Sequence, residues 1–238
     1  MRSVVTAALA AGALLLGLGA CATSGPDQDG AAWTDLLADG GASWRTVGST
    51  TLRPEWSVSD GVLTLSEKGG GDITNGQVYE DFELELDWRI SEGGNSGVFY
   101  FVDLDHSETK PWQTGPEMQI LDNARHKDGG SALTSAGANF GLYPTNPDAV
   151  RPAGEWNEAR LVARDGKVEH WLNGTRVVSY DMASSDLQQR IQDSKFKRWE
   201  TSFAKRARGA IVLQDHGDRV DFRNIRIRDL GPRGAKAG

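Results

Sequence analysis

Phe82-Glu83-Leu84-Glu85-Leu86-Asp87-Trp88-Arg89-Ile90 alternates apolar and charged residues without a break. A strand turns successive side chains to opposite faces. Phe82, Leu84, Leu86, Trp88 and Ile90 then share one side, and Glu83, Glu85, Asp87 and Arg89 share the other. Wound as a helix, the same residues would spread their apolar side chains around the whole circumference and leave no single face to bury. The stretch reads as a strand with one face on a core and the other in water, as antiparallel sheets commonly have.

The flanking sequence extends that pattern. Asp165-Gly166 separates Glu158 to Arg164 from Lys167 to Leu172, Asn173-Gly174 separates Leu172 from Thr175, and Asp60-Gly61 separates Trp56-Ser57-Val58 from Val62-Leu63-Thr64-Leu65. Each dipeptide accepts positive φ and closes a two-residue hairpin. Ala210 to Gln214 and Val220 to Arg228 read as the last strands, and Ser184 to Phe196 as the one helix, polar and superficial. Many short strands with regular turns predict an all-β protein, a two-sheet jelly-roll β-sandwich whose inner faces form the core. Trp33, Trp44, Trp56 and Trp88 are expected in that core, because large aromatics dominate sandwich interiors.

The N-terminus carries a different message. Arg2 precedes an apolar run from Val4 to Leu18, followed by Leu18-Gly19-Ala20-Cys21. A basic start, a short apolar core and small residues before a cysteine make a secretory signal ending in a lipobox, too short for a permanent membrane span. Cys21 is then the acylated residue, and Ala22 after it predicts sorting to the outer membrane of a two-membrane cell envelope. The expected organisation is signal peptide and lipobox (1–21), flexible polar tether (22–30), one domain (31–230) and a polar tail (231–238). Cys21 is the only cysteine, so once lipidated it leaves no thiol for catalysis, disulfide or zinc. The net charge of −7 argues against nucleic acid as a partner.

Several motifs occur in one order along the mature chain: Tyr79-Glu80-Asp81-Phe82, Gly93-Gly94-Asn95-Ser96-Gly97-Val98-Phe99, Thr114-Gly115-Pro116-Glu117-Met118-Gln119-Ile120-Leu121-Asp122 and Pro152-Ala153-Gly154-Glu155-Trp156-Asn157. They continue as Val168-Glu169-His170-Trp171-Leu172-Asn173-Gly174, Ser194-Lys195-Phe196, Leu213-Gln214-Asp215-His216-Gly217 and Phe222-Arg223-Asn224-Ile225. Together they resemble the 3-keto-disaccharide hydrolase domain family from about Trp33 to Leu230. The departures are Met118, where the family usually has an aromatic, and Asp221, where an aromatic is common. The resemblance implies a concanavalin-like jelly roll and a glycoside substrate whose sugar carries a ketone at carbon 3. It also implies a functional link to an oxidoreductase that makes that ketone.

A ketone at carbon 3 acidifies the proton on carbon 2. A base can remove that proton, and the enolate expels the glycosidic oxygen from carbon 1. Such a site needs a base, an acid for the leaving group and polar groups around the enolate oxygen. Glu117 is the first candidate for acid or base, sharing a strand face with Gln119. On spacing alone, a carboxylate solvating a strand edge explains it better, and the family resemblance reverses that preference. His216 stands at a strand end beside a glycine and can move protons near neutrality, or can simply bond its own turn. Lys195 could hold the oxygen, although Lys197 and Arg198 mark it equally as surface. Arg89, Asn95, Trp112, Gln119, Asp122, Trp171, Gln214 and Asp215 are the candidate substrate-binding residues. The bland readings are charge pairing for Arg89 and turn formation for Asn95. His170 shares parity with Val168 and Leu172 and is expected to be a buried structural histidine.

The four histidines show no ligand spacing, and the acids form no calcium loop, so no cofactor is expected, although one divalent ion on the ketone would be compatible with the chemistry. Two other readings stay open at this level. One is a conventional glycosidase with paired carboxylates. The other is a carbohydrate-binding lipoprotein without catalysis, because jelly rolls serve both purposes.

Overall fold

The computed structural model of the protein describes residues 31–105 and 110–232. Cys21, the apolar run before it and the tether lie outside the described residues, as does most of the C-terminal tail. The strands are β1 (Thr34–Asp35), β2 (Arg45–Thr46), β3 (Trp56–Ser59), β4 (Val62–Leu65), β5 (Ile73–Thr74), β6 (Val78–Tyr79) and β7 (Asp81–Ile90). They continue as β8 (Asn95–Val102), β9 (Glu117–Leu121), β10 (Asn157–Arg164), β11 (Lys167–Leu172), β12 (Thr175–Asp181), β13 (Gly209–Leu213) and β14 (Val220–Gly231).

Two antiparallel sheets result. The first runs β12-β11-β10-β7-β14-β4-β3, with β1 added along β14, and the second runs β2-β5-β13-β8-β9, with β6 added along β13. The alternating stretch lies in β7, at the centre of the first sheet. Phe82, Leu84, Leu86, Trp88 and Ile90 all face the core and are at most 2% exposed. The charges on the opposite face pair across strands. Glu83 meets Arg160 and Arg228, Glu85 meets Arg226 at 2.5 Å, and Asp87 meets Arg223 at 3.0 Å. The three hairpin dipeptides take the expected conformation, with φ of 51° and 74° at Asp60 and Gly61, 50° and 80° at Asp165 and Gly166, and 49° and 78° at Asn173 and Gly174.

Two expectations are corrected. The predicted helix from Ser184 to Phe196 is two elements. The α-helix α1 (Ser185–Gln192) is capped by Ser184, whose hydroxyl accepts from Leu187 N, and a 3-10 turn, Lys195–Trp199, follows. Ser194 makes the break, because its hydroxyl accepts from Phe196 N and donates to Ile191 O, drawing the chain out of the helical path. Trp44, Trp56 and Trp88 are core, but Trp33 lies half-buried on the outer face of the first sheet, with Arg226 and Arg228 stacked over its ring.

Inside the sandwich a polar chain crosses between the sheets. Tyr100 of β8 hydrogen-bonds His170 of β11 at 2.9 Å and Tyr180 of β12 at 2.6 Å, while His170 Nδ1 meets Gly137 O at 2.9 Å. A carbonyl only accepts, so Nδ1 carries the proton and Nε2 accepts from Tyr100. His170 is fully buried, and burial pushes its pKa down to about 4. It is the structural histidine that strand parity implies.

Candidate active site

The candidate face is the outer surface of the second sheet. In β9, Met118 and Ile120 enter the core, so Glu117 and Gln119 emerge on the other side. Cross-strand register sets their neighbours. Glu117 stands opposite Phe99 and Gln119 opposite Gly97 on β8, Phe99 is paired in turn with Val212 of β13, and Gln214 N bonds Gly97 O at 3.0 Å. Phe99, Val102 and Val212 form a small apolar cluster on this outer face. Loops close the sides and leave a cleft of about 390 Å³ lined by Asp72, Asn95, Trp112, Glu117, Gln119, Asp128, Phe140, Lys195, Phe196, Gln214, Asp215 and His216.

Glu117 is the most perturbed acid of the cleft. Burial pushes its carboxyl up to about 8, with Lys195 opposing the rise and Asp72 adding to it. At neutral pH the group is therefore mostly protonated. Lys195 opens the 3-10 turn after Ser194, and its ammonium lies 4.2 Å from the centre of the Phe140 ring. Burial draws its pKa down, while Glu117 and Asp128 draw it up. Three amide oxygens around the cleft, Asn95 Oδ1, Gln119 Oε1 and Gln214 Oε1, are buried without a hydrogen-bond partner among the described residues. A buried acceptor left unpaired is costly unless a ligand or water supplies the donor. Three of them in one cleft suit a ligand rich in hydroxyl groups. Trp112 is 36% exposed at the mouth, edge-on to Trp199 at 4.8 Å, and His216 is exposed at the rim.

Eight of the residues singled out from sequence line this cleft: Glu117, Lys195, His216, Asn95, Trp112, Gln119, Gln214 and Asp215. Asp215 holds backbone more than space, since Oδ2 accepts from Gly69 N at 3.0 Å and Gly71 N at 2.8 Å and Oδ1 accepts from Gly217 N at 2.9 Å. Three residues lie elsewhere. Arg89 is on the outer face of the first sheet, paired with Asp221 at 2.7 Å beneath Trp156. Trp171 is on that face too, its indole N–H donating to Glu169 at 2.9 Å. Asp122 is buried at the far end of β9, where its carboxylate accepts from Gly93 N at 2.7 Å and Ala124 N at 3.0 Å.

Sequence reasoning missed four lining residues: Asp72, Asp128, Phe140 and Phe196. Asp72 follows Gly69-Gly70-Gly71, and a glycine run leading an acid into a short strand was the available signal. A larger concavity of about 890 Å³ opens on the first sheet, between Trp33 and Trp171. Of its four acids, Glu85, Asp87 and Glu158 are each ion-paired to an arginine, and Asp35 accepts from Leu37 N at 2.8 Å. Among the described residues no three His, Cys, Asp or Glu side chains converge as a metal site.

The sequence and the sandwich fold agree with known proteins. The chain is 32% identical to the 3-keto-disaccharide hydrolase of Bacteroides thetaiotaomicron over a 215-residue alignment, covering 79% of this chain and 74% of that protein. A crystal structure of Parabacteroides distasonis ATCC 8503, described as a glycosyl hydrolase, superposes with a TM-score of 0.77 at 32% identity, covering 84% of this chain and 94% of the other. A Bacillus subtilis protein with a galectin-like fold shares the fold alone, at 12% identity, a TM-score of 0.55 and coverage of 85% and 97%. Residues 32–228 match the model of one family, and the chain belongs to it: the 3-keto-alpha-glucoside-1,2-lyase-like domain family.

Proposed function

We propose that this protein is a carbohydrate-cleaving enzyme acting on glycosides whose sugar carries a ketone at carbon 3. A base removes the proton from carbon 2, the bond from carbon 1 to the glycosidic oxygen breaks, and water then adds to the new carbon 1–carbon 2 double bond. The observation that carries the proposal is the pairing, in one cleft, of the largely protonated carboxyl of Glu117 with the Lys195 ammonium. The carboxyl is suited to protonating a leaving group, and the ammonium to holding the oxygen that gains charge at carbon 3. Asn95, Gln119 and Gln214 offer unpaired acceptors for sugar hydroxyls, and Trp112 offers a ring face at the mouth. The relative from Bacteroides thetaiotaomicron supports the same substrate class by its name.

A second reading rests on a specific observation. Asp72 and Glu117 are two carboxyls in one cleft, the minimum equipment of a conventional glycosidase. Activity on unoxidised glycosides would favour it. We also propose that Cys21 anchors the enzyme by its lipid to the cell envelope, at the outer membrane where there are two, downstream of a sugar 3-oxidoreductase.

The test is an NMR time course with a 3-keto-disaccharide in deuterated water. The expected result is a carbon 1–carbon 2 unsaturated intermediate, or deuterium at carbon 2 of the product. Untouched 3-keto substrate, with turnover of the parent glycoside, would replace this reading with the second.

A further inference from the structure

Of the four carboxyls that line the cleft, Asp72 is one that no motif in the sequence marks. We propose that Asp72 is the base that takes the carbon 2 proton and that Glu117 is the acid that protonates the departing glycosidic oxygen. This assignment rests on the elimination reading above and divides its two proton transfers between two named groups.

Three observations support it. Both side chains line the same cleft, and their charges interact. Asp72 is fixed through one oxygen and leaves the other open. Its Oδ1 accepts from Asp215 N at 2.9 Å, while Oδ2 makes no hydrogen bond among the described residues. The strap that carries Asp72 is fixed in turn by the Asp215 carboxylate through Gly69 N and Gly71 N. Third, the two environments separate the protonation states. Burial raises Asp72 to about 6, the carboxylate of Asp215 adding to the rise and the Asp215 N–H and Lys110 opposing it. Burial raises Glu117 further, to about 8, with Lys195 opposing the rise and Asp72 adding to it. Near pH 7 Asp72 is mostly the ionised, accepting member and Glu117 the neutral, donating one. Two like groups set apart by their surroundings in this way are the usual equipment for acid and base work. Asp128 faces Lys195, and His216 stands at the exposed rim.

The proton count closes. Asp72 gains the carbon 2 proton, and the electron pair of that bond becomes the carbon 1–carbon 2 double bond. The pair of the carbon 1–oxygen bond leaves with the aglycone, which takes the proton of Glu117. Asp72 is then neutral and Glu117 ionised, the arrangement hydration needs. Glu117 takes a proton from water as its oxygen bonds carbon 1, and Asp72 returns one to carbon 2. Both groups end as they began.

The experiment uses the full-length chain and two 3-keto-glucosides, one with an alkyl aglycone and one with a nitrophenyl aglycone that leaves without protonation. Asp72→Asn keeps an oxygen to accept from Asp215 N, so the strap is retained, and a melting curve checks this. It is expected to slow both substrates about 10²–10⁴-fold and to suppress hydrogen exchange at carbon 2. Glu117→Gln is expected to slow the alkyl glycoside to a similar degree, to keep the nitrophenyl rate within about tenfold, and to keep the exchange. Exchange at the wild-type rate in Asp72→Asn, or its rescue by the nitrophenyl group, overturns the assignment while leaving the elimination intact. A wild-type enzyme that leaves both 3-keto-glucosides untouched overturns the elimination, and the assignment with it.

Discussion

The carboxyl of Glu117 lies over the α-carbon of Gly97, on the neighbouring strand. A Cβ at residue 97 would overlap Oε1 and stand 2.9 Å from the carboxyl carbon. The glycine is there for space, since its φ is not in the left-handed region. Gly97→Ala should therefore leave the sheet intact, or steady it slightly, because alanine loses less freedom on folding than glycine. The far end of the Glu117 side chain would have to move. The expected outcome is a melting temperature within a few degrees of wild type and kcat/KM lower by about 10²-fold, the loss typical of a misplaced catalytic group. A variant that is fully active would remove Glu117 from the chemistry.

The same burial makes a prediction about stability. The folded pKa of Glu117, about 8, lies above its ordinary 4.5, so the folded state keeps a proton that the unfolded chain gives up. The contribution is fully present below about pH 4.5 and is lost as pH rises to about 8. Glu117→Gln has nothing to ionise there. Asp72 shifts in the same direction in both proteins and cancels in the comparison. Denaturant unfolding across pH 4 to 9 should show the wild type losing stability relative to the variant by on the order of a few kcal/mol. Parallel curves would mean that the carboxyl is solvated.

The first sheet gives the contrasting expectation. Arg89 and Trp171 stand on its outer face, tied to Asp221 and Glu169. Trp171→Ala should leave kcat/KM within about threefold of wild type, as surface changes away from a site usually do. A large fall in kcat/KM would show that the concavity between Trp33 and Trp171 takes part in substrate capture.

The location of those two residues shows where the sequence stopped being informative. Strand parity is local, so it put Glu117 and Gln119 on one face and His170 on the buried one. It also gave the face of Arg89 within β7. Parity says nothing about which sheet a strand joins, and the two outer faces of a sandwich look alike from any one strand. Arg89 and Asn95 are six residues apart, yet β7 and β8 belong to different sheets and their outer faces point in opposite directions. Asp72 was missed for a related reason. It enters the cleft through a glycine strap whose position depends on Asp215, 143 residues later. The hairpin dipeptides were legible because their geometry is set within two residues.

The chain from Tyr180 through Tyr100 and His170 to Gly137 O ties the sheet that carries the cleft to the sheet behind it. Tyr100 lies on β8 three residues beyond Gly97, with its side chain on the core side of the strand whose other side Glu117 covers. His170→Phe keeps the shape of the ring but leaves the Tyr100 hydroxyl and the Gly137 carbonyl each short of a partner. Its expected cost is about 1–3 kcal/mol, chiefly from the Gly137 carbonyl left unpaired, since the Tyr100 hydroxyl keeps Tyr180. The pH dependence has a definite sign. His170 has a folded pKa of about 4, below its ordinary 6.5, so the unfolded chain takes up a proton that the folded one refuses. Wild-type stability should fall as pH drops from about 6.5 to 4, by on the order of a few kcal/mol, and His170→Phe should lack that contribution. The variant, compared with wild type at pH 7 and again at pH 4.5, should show a much smaller deficit at the lower pH. An equal deficit at both would place the stabilisation in ring packing instead of the hydrogen-bonded chain.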